Sequence, residues 1–168
     1  MAFTNGVLDE VIQIEEGEVI TTSPYNVDSY DKFEDGLKIG HFAKLDTGSV
    51  DNLDGSATPV IVGVPKRKVN KTIDSEVYVS TAVNGLADKN ADVCNFGRVT
   101  CILSDLAIAA DTVTEGLPVY VVNSATPALA GKVTDNSLEA DALLVPNATF
   151  KRAKAAGVWV VTIQQYLV

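Results

Sequence analysis

The chain has 168 residues, an apolar fraction of 46%, a charged fraction of 21% and a formal net charge of −9. That length encloses one core with room for an extension, and no run approaches the roughly 20 apolar residues that span a bilayer, so a membrane is not an expected partner. A negative balance whose basic residues sit in short clusters also excludes a phosphate-tracking surface, and nucleic acid is not expected either.

Residues 1–35 differ from the rest. They hold nine acids (Asp9, Glu10, Glu15, Glu16, Glu18, Asp28, Asp31, Glu34 and Asp35) against Lys32 alone, whereas the remaining 133 residues hold 13 acids and 12 bases. Val7, Leu8, Val11, Ile12 and Ile14 recur at loose helical spacing between Gly6 and Gly17, and a polar stretch from Thr21 to Asn26 follows. This reads as an acidic arm over 1–35 ahead of a β-rich body over 36–168, the arm ordering against something other than itself. Tyr25 and Tyr30 are isolated aromatics in that stretch with no local core to join, so docking on a neighbour is expected of them. The first residues carry no basic region and no apolar leader, so no signal peptide is expected.

The body opens on a phrase used twice. Asp35-Gly36-Leu37 and Glu115-Gly116-Leu117 each put an acid and a glycine before a run of β-formers. A strand is predicted over 37–45, a long loop rich in turn formers over 46–56, and a strand over 59–64. A basic turn opens at Pro65 and carries Lys66, Arg67, Lys68 and Lys71, a candidate contact for an acidic partner. Strands near 76–82 and 97–104 flank a polar loop at 84–90, and Leu106 to Ala110 fits either a short helix or a strand. Strands at 118–123 and 129–134 flank a connection at Asn123–Pro127. Residues 147–156 read as a short helix closed by Gly157 or as a strand, and 157–163 is a strand. The class is all-β: a compact β-sandwich or barrel of short antiparallel strands with an extended N-terminal arm. The mean hydropathy of +0.16 is high for a lone soluble chain and points to apolar surface covered by partners.

The inventory for catalysis is thin. Leu45-Asp46-Thr47-Gly48-Ser49 resembles the aspartic-protease triplet, in which two carboxylates share one proton. No second copy exists, so Asp46 would need a dimer to act. Asp46, Asp51, Asn52 and Asp54 offer oxygen ligands for calcium, but not at EF-hand spacing. His41 is the only histidine and is placed inside the 37–45 strand with Ile39 and Ala43 on its face, with no flanking nucleophile motif. Cys94 and Cys101 are the only cysteines and are expected to be reduced and packed, since no second ligand pair suggests zinc. The two Asn-X-Thr sequons, at Asn70 and Asn147, are read as coincidence. Trp159, the only tryptophan, anchors either the core or an interface. No catalytic residue, cofactor or metal is expected.

The ordered series Gly36–Leu45, Pro59–Val64, Phe96–Ile102, Glu115–Val121, Gly131–Val133 and Ala156–Ile163 resembles the tailed-phage structural cement proteins, or capsid decoration proteins, over roughly residues 20–168. The resemblance implies a small β-rich protein without catalytic residues. It would bind the major capsid protein on the outer surface of an icosahedral head, commonly as a homotrimer, and stabilise the shell. It places the protein in the virion after synthesis in the host cytoplasm. Within that picture residues 1–20 are expected to reach a neighbouring protomer or the capsid, with ordering cost offset by multivalent attachment. Two alternatives remain open: a phage tail or fibre module, which would carry longer repeats or a coiled-coil lead-in, and a dimeric peptidase using Asp46.

Overall fold

The structure, a computed structural model, describes residues 17, 19–20, 24–66, 69–71, 77–79, 82–83, 90–104, 113–155 and 157–164. Among these residues every regular element is a strand. The strands are β1 (Asn26–Tyr30), β2 (Leu37–Lys38), β3 (Ala43–Asp46), β4 (Ser49–Asn52), β5 (Val60–Pro65), β6 (Val69–Lys71) and β7 (Val77–Val79). They continue with β8 (Ala82–Val83), β9 (Ala91–Ile102), β10 (Pro118–Val122), β11 (Val133–Thr134), β12 (Ala142–Ala155) and β13 (Val158–Ile163). The runs of valine and isoleucine explain β5, β10 and β13 directly, because branched side chains fit a pleated, half-buried surface.

Nine strands join one sheet in the order β11-β10-β12-β13-β9-β5-β3-β4, with β1 also paired to β9. Every ladder is antiparallel, and β2–β8 and β6–β7 form separate pairs. The sheet curls into a half-barrel. Leu103, just past β9, bridges Val133 of β11, and Phe33 bridges Val50 of β4, so both ends of the sheet meet further chain. This is the all-β antiparallel architecture expected from the sequence, although β9 with 12 residues and β12 with 14 are far from short.

Strand β9 is the spine. Its first half pairs with β1 and β5, and its second half with β13. The Leu103 N–H donates to the Gly157 carbonyl, while the carbonyls of Arg98 and Thr100 on the opposite edge accept from Ile20 and Gly17. The chain just ahead of β1 therefore already lies along β9, and Val19 bridges Val99. Strand β1 itself falls inside the first 35 residues and is part of the sheet.

Several predicted elements change. The 37–45 strand is two strands, β2 and β3, separated by a turn at 39–42 in which the Phe42 N–H donates to the Gly131 carbonyl. His41 lies in that turn rather than in a strand, with Nδ1 3.0 Å from the Ile39 carbonyl oxygen. The 46–56 loop contains β4, and β9 begins at Ala91, six residues before the predicted start. Of the 147–156 segment, residues 147–155 belong to β12, and Ala156 lies outside the described residues. Only Val133–Thr134 of the predicted 129–134 strand is extended. Leu106 to Ala110 lies outside the described residues.

Two apolar clusters hold the body. The larger fills the barrel with Val64, Cys94, Val99, Val121, Phe150, Trp159, Val161 and Ile163 among others. Phe150 and Trp159 meet edge to face at 5.7 Å and 83°, a geometry worth about 1 kcal/mol beyond burial. Trp159 is buried, so core anchoring accounts for it. The smaller cluster, Leu37, Ile39, Ala43, Val50, Val62, Ala91 and Val93, sits on the other side of β3, β5 and β9 with Tyr30, Phe33 and Leu45 against it. Cys94 and Cys101 are free and buried in the larger cluster.

Candidate functional site

The β3–β4 hairpin carries the Asp-Thr-Gly triplet. Asp46 pairs with Ser49, leaving Thr47 and Gly48 as a two-residue loop with φ of 48° and 84°. Positive φ at both central positions is a type I′ turn, the geometry that best matches strand twist, and it explains why glycine follows threonine here. The triplet is a hairpin turn at the edge of the sheet.

Beside it is a cleft of about 250 Å3 lined by Glu34, Lys38, Lys44, Asp51, Asp54 and neighbours. Its centre is a cation. The Lys44 side chain is buried, and its Nζ donates to Asp54 Oδ2 at 2.8 Å and lies 3.7 Å from Asp46 Oδ2. The hydrogen bond from Lys44, followed by that from the Ser56 N–H, holds the Asp54 carboxyl down at about 2. The same bond to Asp54 raises Lys44 above its ordinary value, against the opposing effect of burial. Sharing a proton needs a second carboxylate hydrogen-bonded to Asp46, and the polar group beside it is the Lys44 ammonium. The calcium reading meets the same obstacle, since the acids are gathered around Lys44. Among the described residues no group of three or more His, Cys, Asp or Glu side chains converges on a metal-sized site.

The cleft is also a seam between the two parts of the body. Asn123, buried ahead of β11, accepts from the Gly55 N–H at 3.0 Å and donates to the Ser56 carbonyl at 2.7 Å. Lys38 Nζ donates to the Pro127 carbonyl across the cleft. These bonds fix the 53–56 segment against the far side of the cleft.

The contact residues expected from sequence are scattered. Tyr25 is 47% exposed and lies against Gly97 of the spine. Tyr30 is half-buried, pairs with Ala91 and packs on the smaller cluster; burial and then the Asp28 carboxylate push its phenol up. Lys66 is half-buried, with its N–H donating to the Asp92 carbonyl at 2.6 Å, and Lys71 ends β6. Val7, Leu8, Val11, Ile12, Ile14, Arg67 and Lys68 lie outside the described residues. Lys151, Arg152 and Lys154 make a second short basic cluster in β12, where Lys151 pairs with Glu115 and Arg152 is exposed.

Two features have no counterpart in the sequence reading. Asn95, buried on β9, accepts from Asn26 Nδ2 at 2.9 Å and donates to Asp28 Oδ2 at 2.6 Å, tying β1 to the spine through side chains. Leu138, in the β11–β12 connection, and Leu144, in β12, are large aliphatics left in the open. Leu138 stands alone among polar residues, the same signal that singled out Tyr25 and Tyr30.

The structural cement protein family (E217 gp24/Pam3 gp6) matches residues 4–165. The chain belongs to that family. A chain in the solved structure of the capsid of Myoviridae phage XM1 is 42% identical to this cement protein and superposes with a TM-score of 0.78. That alignment covers 99% of this chain and 100% of the other. No curated protein matches. The cement protein is a capsid component with a structural role, as the resemblance of its strand series implied.

Proposed function

We propose that this cement protein attaches to the outer surface of its phage head by binding the major capsid protein, associates as a homotrimer, and stabilises the shell without catalysis, cofactor or metal. The observation that supports this most is the family match over nearly the whole chain, joined to a capsid chain of the same length and fold. Contact is carried by the acidic arm through Val7, Leu8, Val11, Ile12 and Ile14, by Tyr25 and Tyr30 where the arm meets β9, and by the basic Lys66, Arg67, Lys68 and Lys71. Neither nucleic acid nor membrane takes part.

The mechanism is mechanical. A rigid curled sheet presents fixed contact points, so little ordering cost falls on the body when it docks. Three linked copies convert three weak contacts into one strong one through effective concentration. The test is decoration of heads assembled without this protein, read by cryo-electron microscopy and by rupture on heating. Saturable external density and a raised rupture temperature are expected. Heads that stay bare at micromolar protein would refute the reading. Deleting residues 1–20 should weaken saturation; unchanged saturation removes the arm from the contact.

A further inference from the structure

The sheet carries a row of cations on the side away from its core. Alternation puts Val99 and Cys101 of β9, and Trp159, Val161 and Ile163 of β13, in the larger cluster, so Arg98, Thr100, Val160 and Thr162 face the other way. Arg152 of β12 lies opposite Val160 and shares that outer face, and Lys154 follows in the same strand. Arg152 is exposed, and Arg98 and Lys154 are half-buried. Among the described residues none of these three cations has an ion pair, in a chain whose net charge is −9. The centre of the face is closed: Val160 is 1% exposed although it belongs to neither apolar cluster. Its neighbours within the sheet stand beside it and not over it, so burial this deep needs a second layer of chain. The segments at 17–20 and Gly40 bond the far edge of β9, two strand spacings or about 10 Å from β13.

The chain ahead of Gly17 starts on the same row. The Gly17 N–H donates to the Thr100 carbonyl at 2.9 Å, and the Ile102 N–H further along that edge of β9 is taken by the Gly40 carbonyl at 3.0 Å. A Cβ on Gly17 would run into Ile39 Cγ2 and lie 2.9 Å from the Pro65 carbonyl oxygen. The ladder is therefore blocked here, and a φ of +69° turns the chain out of the sheet. From Gly17 the row runs through Thr100 and Val160 to Arg152, three strand spacings or about 14 Å. The 16 residues ahead of Gly17 cover about 24 Å even at helical rise. They hold Asp9, Glu10, Glu15 and Glu16 with no lysine or arginine, together with the apolar residues between Val7 and Ile14.

We infer that residues 1–16 lie across this outer face of their own chain, with apolar side chains over Val160 and carboxylates on Arg98, Arg152 and Lys154. The inference goes beyond the contact role proposed for the arm: it names the surface that seats the arm, and the seat does not depend on a shell. The arm leaves the sheet on the row it covers, so seating it within one chain closes only a short segment. The arm of a second copy would carry the cost of association as well.

The experiment uses the full-length chain without heads. A water-soluble carbodiimide joins a lysine amine to a carboxylate in contact with it, with loss of water. Peptide mass spectrometry on a mixture of ordinary and heavy-nitrogen chains then separates links within a chain from links between copies. The Lys151–Glu115 pair is the internal control. Lys154 should link to an arm carboxylate within single chains. Cleavage after Glu10, Glu15 and Glu16 by a glutamate-specific protease should run about three- to tenfold faster in the double variant Arg152→Glu/Lys154→Glu than in wild type at low salt. That gap should close at about 1 M salt. Both substituted side chains reach solvent, so the variant should keep the wild-type thermal midpoint. Equal cleavage rates at low salt, or a control link with none from Lys154 to the arm, overturn the inference. Lys154–arm links found only between ordinary and heavy chains overturn it in favour of arms exchanged between copies. None of these results bears on decoration of heads; heads left bare by a chain that shows the Lys154 link remove the shell reading and leave the seat.

Discussion

Gly97 lies in the middle of β9, where the spine passes from the smaller cluster's strands to the barrel's. Its φ is +104°, and a Cβ there would lie 2.6 Å from the Pro24 carbonyl oxygen and 2.8 Å from Tyr25 Cα. Both neighbours are backbone, so relief requires the chain leading into β1 to move. Gly48, at the tip of the β3–β4 hairpin, has φ of +84° with nothing within 4 Å of its added Cβ. Both alanine variants therefore carry a penalty of about 1–3 kcal/mol for a side chain at positive φ, and only Gly97→Ala adds a backbone clash. A forced contact of this kind costs roughly a further 1–3 kcal/mol. At about 2–4 °C per kcal/mol for a chain of this size, Gly97→Ala should melt about 6 °C below Gly48→Ala. Differential scanning calorimetry gives the midpoints, and hydrogen exchange should locate the damage at Asn26–Tyr30. Midpoints within about 2 °C of each other would refute the argument that Pro24 and Tyr25 are held against the spine.

Asn95→Ala removes a buried amide that bonds both Asn26 and Asp28, and should cost about 1–3 kcal/mol in chemical denaturation while speeding exchange in β1 more than in β13. Phe150→Ala empties a fully buried ring site against Trp159 and should cost about 3–5 kcal/mol, read as a lower denaturation midpoint with unchanged slope. A carboxyl held below its ordinary value supports folding above that value and loses its support as the pH falls towards the lowered one. For Asp54, with 3.8 as the ordinary value and about 2 in the folded chain, Asp54→Asn should lower stability at pH 6 and converge with wild type near pH 2. Because that carboxylate is more than half exposed, the gap should stay within about 1 kcal/mol. Burial pushes the Cys94 thiol up to about 11 and raises Cys101 well above its ordinary value, so neither should react with a thiol reagent at pH 8 until denaturant is added.

The strands that the sequence made legible are those whose own side chains decide the matter. Val60–Pro65, Pro118–Val122 and Val158–Ile163 are continuous branched runs, and each is where the pattern put it. The first half of β9 falls between the predicted loop at 84–90 and the predicted strand at 97–104, where Asp92 and Asn95 are poor strand formers. They are stable there because Ser29 and Asn90 bond Asp92, and Asn26 and Asp28 bond Asn95, partners up to 69 residues away. The break at 39–42 has the same origin: the Gly131 carbonyl that accepts from Phe42 is invisible to any local window. The Asp46 triplet was legible as a motif, but the ammonium of Lys44 beside it was not, since alternation alone does not say which lysine is buried. Leu138 carried the same signal as Tyr25 and Tyr30, an apolar side chain in a polar stretch, and its exposure is what the structure adds.

The shared spine has a consequence for how this chain fails under load. Strands on both sides of the body, and the segment at 17–20, draw their partners from one strand, β9. Neither half can detach and leave the other a complete sheet. Opening either one exposes backbone donors and acceptors of β9 that have no second set of partners, so the intermediate with one half melted is penalised and the body yields as a unit. A fastener with no stable half-open form holds at full strength until it lets go.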